Sequence, residues 1–68
     1  MYNVFLNDAK VATTDGIKFD FIEEVKSDKD LTMIHYAASR ARFVFANPET
    51  KRYERTISDV KVTIEPLK

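Results

Sequence analysis

Apolar and polar positions alternate most clearly near the two ends of the chain. Tyr2 to Leu6 is short and rich in β-formers, and Lys10 to Thr14 can return beside it. The intervening Asn7-Asp8 pair tolerates the left-handed backbone of a tight hairpin. Asp15-Gly16 is a stronger turn signal and uses the only glycine in the chain. From Ile17 to Val25, Ile17, Phe19 and Phe21 fall on one face, with Lys18 and Asp20 on the other. The alternation degrades at Ile22-Glu23-Glu24. The pattern predicts a meander of two or three strands ending near Val25.

The period then changes. Lys26-Ser27-Asp28-Lys29-Asp30 is polar, and Ser27, Asp28 or Asp30 can cap a helix by accepting a backbone N–H. Leu31, Ile34, Ala38 and Ala41 follow at spacings of three, four and three, on one helical stripe. Ala37, Ala38 and Ala41 add helix propensity, while Thr32, Tyr36, Ser39 and Arg40 lie opposite. The competing reading is a strand over residues 31–38, with Leu31, Met33 and His35 facing away from Thr32, Ile34 and Tyr36. A helix near residues 29–40 fits better.

From Ala41 the chain reads as strand, turn, strand, turn, strand. Phe43 and Phe45 alternate with Arg42, Val44 and Ala46, and Asn47-Pro48-Glu49-Thr50 suits a type I turn. Arg52 to Ile57 returns, Ser58-Asp59 turns again, and Val60, Val62 and Ile64 alternate with Lys61, Thr63 and Glu65. Pro66 ends the last strand. If Tyr53 and Ile57 point into the core, period two places Arg55 beside them. Such an arginine either lies at the rim of a short strand or is offered to a partner.

The expected fold is therefore α+β: a small antiparallel sheet of four or five strands, with one helix packed on one face. The alternative is a small all-β barrel with residues 31–38 as a strand. The 68 residues make a single domain, 1–68. So short a chain buries only about 60% of the surface its unfolded form exposes. Its five Phe and three Tyr are accordingly expected to serve mostly in folding.

Charge adds one feature. Net charge is zero, with 11 basic and 11 acidic residues, but the signs segregate. Asp8, Asp15, Asp20, Glu23, Glu24, Asp28 and Asp30 fall in the first 31 residues, against four lysines. All four arginines, with Lys51, Lys61 and Lys68, fall in the rest, against four acids. This split marks either a polyanion-binding face or ion pairing between neighbouring strands.

Catalytic chemistry finds little support. There is no cysteine, so thiolate metal sites, thiol nucleophiles and disulfides are excluded. His35 is the single histidine and has no second one to complete a metal set. Glu23 and Glu24 are adjacent and point apart on a strand. Asp28-Lys29-Asp30 lacks the glycine and final glutamate of a calcium loop, and one glycine cannot build a phosphate loop. No cofactor or metal is implied. The lack of disulfides, of a signal-peptide pattern and of an apolar run long enough to span a bilayer points to a soluble cytoplasmic protein.

What remains is a segment from Tyr36 to Arg55 in which arginines interleave with aromatics. Tyr36, Arg40, Arg42, Arg52, Tyr53 and Arg55 are the candidate partner-binding residues, because Tyr and Arg dominate protein–protein hot spots. The expected function is a small non-enzymatic regulatory or accessory module that binds another protein. The alternative is single-stranded nucleic acid, whose bases stack on exposed rings while basic residues neutralise phosphates. The N-terminal acids offer a second, oppositely charged contact, and edge strands allow pairing into a homodimer.

Overall fold

The structure is a computed structural model and describes residues 1–67. Its elements in chain order are β1 (Tyr2–Leu6), β2 (Ala9–Thr14), β3 (Phe19–Phe21), α1 (Asp28–Val44), β4 (Tyr53–Ile57) and β5 (Val60–Pro66). The strands form one five-stranded antiparallel sheet in the order β3-β2-β1-β5-β4. The sheet is open and α1 packs on one face, so the protein is α+β. The barrel alternative is excluded, because residues 31–38 are helical.

Local chemistry sets the turns. Asn7 and Asp8 have φ of 50° and 73°, and Ser58 and Asp59 have 48° and 66°. These are the paired positive φ values of two-residue hairpins, whose twist matches that of the strands they join. The two tips lie side by side and brace each other. Asn7 N–H donates to the Lys61 carbonyl at 2.9 Å, and Lys61 N–H donates to Asn7 Oδ1 at 2.9 Å. Lys61 Nζ also lies 2.8 Å from Asp8 Oδ1.

The β2–β3 connection explains why β3 starts only at Phe19; it also ends at Phe21, short of the expected Val25. Asp15 Oδ1 accepts the N–H groups of Ile17 and Lys18, each at 2.8 Å. The buried Thr14 hydroxyl donates to the Lys18 carbonyl at 2.6 Å and accepts from Gly16 N–H at 2.9 Å. The expected strand over 17–25 is thus shortened at its start, and Ile17 is left 70% exposed. Gly16 is required at φ +104°, where a Cβ would lie 3.1 Å from Arg42 Cγ.

Ser27 caps α1 in extended geometry, its Oγ accepting from Asp30 N–H at 3.4 Å. Asp28 and Asp30 in the first turn and Arg42 in the last complement the helix dipole. The helix runs past residue 40 to Val44, with Phe45 as its C-cap. Residues 41–46 are therefore not the expected strand. Alanine-rich sequence continues the helix, and no breaker occurs before Asn47-Pro48. The expected turn does form there: Asn47 accepts from Thr50 N–H through its carbonyl and from Glu49 N–H through Oδ1, both at 3.0 Å. It joins helix to strand instead of strand to strand.

The buried helix face is Met33, Ile34, Ala37, Ala38 and Ala41, whereas Leu31 is only half-buried. Three small alanines let the helix sit close to the sheet. There it meets Val4, Val11, Ala12, Val62 and Ile64. A register slip between Val4 and Phe5 leaves Val11 as an extra residue on β2 and lets it join this core beside Ala12. Phe43, expected inside, is 76% exposed. Phe45 instead stacks on Tyr2 with ring centres 5.2 Å apart. The opposite sheet face, carrying Asn3, Phe5, Thr13, Thr63 and Glu65, is covered by no second layer among the described residues.

Ile34 is fully buried at the helix–sheet contact. Ile34→Ala is expected to cost about 2–5 kcal/mol, enough to unfold much of a domain this small, as read by urea denaturation. Gly16→Ala is expected to cost more than about 1 kcal/mol in the same assay, because its backbone angle excludes a side chain.

Candidate functional site

The six candidate residues do not form one surface. Tyr36, Arg40, Tyr53 and Arg55 gather on the flank where α1 overhangs the edge strand β4. Period two carries Tyr53, Arg55 and Ile57 onto the helix side of β4, and the register sets Arg55 beside the buried Val62. Arg55 stays out of the core because β4 is an edge. Its guanidinium carbon lies 4.6 Å from the ring centre of Tyr36, a cation–π stack. Its Nε is buried without a hydrogen-bond partner. Tyr53 packs half-buried against the core. Arg40 follows Tyr36 by four residues and shares its side of the helix.

The other two lie elsewhere. Arg42 is on the opposite flank of α1, where its stem packs over Gly16. Arg52 faces the uncovered side of the sheet and pairs with Glu54 at 2.9 Å. Four of the six candidate residues therefore lie together and two lie apart. Alternation puts Arg52 on the face opposite Tyr53 and Arg55, and the helix continuing past residue 40 turns Arg42 away from Tyr36 and Arg40.

Ion pairing accounts for little of the charge segregation. Among the described residues there are two ion pairs, Arg52–Glu54 and Lys61–Asp8, and only the second joins an early acid to a late base. Arg40, Arg42 and Arg55 have no carboxylate partner among the described residues. Lys61 holds the Asp8 carboxyl below its ordinary range through a hydrogen bond and its charge. Asp15 is also held low, by the N–H groups of Lys18 and Ile17.

His35 meets the ring of Phe19 edge-on at 4.6 Å, a packing contact. No three His, Asp or Glu side chains among the described residues converge at metal-ligand spacing. A groove of about 750 Å³ lies at the helix C-terminus, with the Tyr2–Phe45 stack in its wall. Its lysine, Lys51, donates to the Pro48 carbonyl at 3.2 Å. A second hollow of about 150 Å³ opens on the uncovered sheet face. Sequence reasoning missed that face and the exposure of Phe43. The polar alternation of Lys61, Thr63 and Glu65 was the available signal for the first.

No protein-family model matches this chain, and neither a curated protein nor a solved structure is significantly similar to it. No helix among the described residues is long and apolar enough to cross a membrane.

Asp8 and Asp15 bind protons less readily when folded than the ordinary carboxylate pKa of about 3.9 allows. Their contribution to stability is thus present above about pH 4 and is lost as pH falls further. Thermal melts from pH 5 to 3 are expected to show a smaller drop for Asp8→Asn/Asp15→Asn than for the wild type.

Proposed function

We propose that the protein is a small, non-enzymatic binding module that docks another protein along the α1–β4 flank. The observation that carries this reading is the Arg55 guanidinium held on Tyr36 with no carboxylate partner among the described residues. An arginine ordered by an aromatic ring and left without a counter-ion is a preorganised anchor. It stands beside a free sheet edge, β4, so an acidic extended segment can add as a strand while its carboxylates meet Arg55 and Arg40. The lack of cysteine suits an intracellular setting for such a regulatory or accessory role.

Single-stranded nucleic acid is the second reading. It is favoured by the exposure of both Tyr36 and Phe43, two helical turns apart with Arg40 between them.

Affinity capture from native lysate, comparing wild type with Arg40→Glu/Arg55→Glu, tests the first reading. A specific partner is expected to fall at least about tenfold with the variant, matching the loss of a charged anchor. It is expected to persist with the control Lys10→Glu/Lys18→Glu. Equal recovery by wild type and the arginine variant refutes the proposed flank. For the second reading, labelled single strands should shift in mobility at low ionic strength and be released steeply by salt. Absence of a shift removes it.

A further inference from the structure

On the uncovered side of the sheet, the two central strands bring together four side chains far apart in sequence. Asn3 pairs in register with Glu65, and Phe5 with Thr63. Each pair spans β1 and β5, and the two are neighbours along the strands, so the four side chains form one block on one face. Phe5, Thr63 and Glu65 line the 150 Å³ hollow there, together with Asp8 and Arg52.

This block holds polar atoms without partners among the described residues. Thr63 is 3% exposed, and its Oγ1 is buried with no hydrogen-bond partner. Asn3 Oδ1, next to the hollow but not in its lining, is likewise buried and without a partner among the described residues. Glu65 makes no ion pair among the described residues. The basic residues nearest the hollow are engaged, Arg52 with Glu54 and Lys61 with Asp8, while Lys51, which shares the larger groove with Glu65, donates to the Pro48 carbonyl. Lys10 stands across Phe5 on β2, but it is exposed and does not line the hollow. With both lining ion pairs neutral, the charge left over is that of Glu65. An unpaired buried hydroxyl or amide is a cost that folded chains rarely carry without a use.

We infer that this hollow is a receptor for an arginine side chain of a partner protein. A guanidinium is planar, lies flat on an aromatic ring and spreads five N–H donors in fixed directions. Those properties match a phenyl ring flanked by a hydroxyl and a carboxylate on two strands. A lysine ammonium is more strongly hydrated and cannot stack in the same way. The volume admits the head of one side chain, with the rest of the partner lying across the flat sheet. Arg52 leaves room readily, because its half-exposed ion pair with Glu54 is weakly held. This site is on the opposite side of the sheet from Tyr36 and Arg55, so it stands or falls separately from the proposed function.

The test is an amide-resolved NMR titration of the full chain with the tripeptide acetyl-Ala-Arg-Ala-amide. The control peptide carries citrulline, the neutral isostere. Saturable shifts are expected at the Asn3 side-chain amide and at the backbones of Phe5, Thr63 and Glu65, with citrulline at least about fivefold weaker. Glu65→Gln should weaken the arginine peptide about tenfold. Thr63→Val should also weaken it while raising the melting temperature of the free protein, because the orphaned hydroxyl is removed. That opposition of binding and stability is not expected of a merely structural threonine. Scattered or unsaturable shifts, equal binding of citrulline, or an unchanged Glu65→Gln variant would overturn the assignment. Methylguanidinium binding as tightly as the tripeptide would overturn the partner-chain occupant.

Discussion

The antiparallel pairing of β1 with β5 is the constraint on which the rest of the molecule depends. It joins the first and last strands in register from Tyr2↔Pro66 to Leu6↔Val62. Closing so long a loop costs entropy that grows only logarithmically with length, but nothing local rewards it. The reward comes from the core, because the same pairing sets Val4 beside Ile64 and brings Val62 under the helix. The β1–β2–β3 meander and the β4–β5 hairpin are each contiguous in sequence. Only this seam makes them one sheet with a width that α1 can cover.

The helix then divides the sheet into unequal faces. Ala37, Ala38 and Ala41 bring it close enough to exclude water from the aliphatic side. Placing α1 between the meander and β4 also decides where charge is displayed. Arg55 is carried to the helix side by the alternation of its strand and meets Tyr36, so an arginine that looks misplaced in a strand becomes an ordered surface group. Arg52, only three residues earlier, emerges on the other side.

Features governed by local chemistry were legible in the sequence. Asn7-Asp8, Asp15-Gly16, Asn47-Pro48 and Ser58-Asp59 all turn the chain, and Ser27 caps the helix. The helix end was not legible, because Phe43 and Phe45 fit a two-residue period as well as they fit a helix continuing over Ala41. Competition for backbone donors decided where β3 starts, because Asp15 captures the N–H groups of Ile17 and Lys18. The placement of Tyr53, Arg55 and Ile57 on the helix side of β4 followed from alternation alone, although Ile57 at the strand end is 39% exposed. The same alternation sends Arg52 to the other face, whereas the position of Arg42 rests on the helix continuing past residue 40.

Asn7 illustrates how two demands can meet at one position. Its left-handed backbone would be relaxed by glycine, the usual remedy for such a turn. Yet its amide oxygen clasps the main chain at Lys61 in the distant hairpin, and glycine has nothing to offer there. Asparagine is one of the few residues that tolerates the bend while also fastening the far end of the polypeptide, so mutational drift at this corner is hemmed in by both backbone shape and tertiary grip.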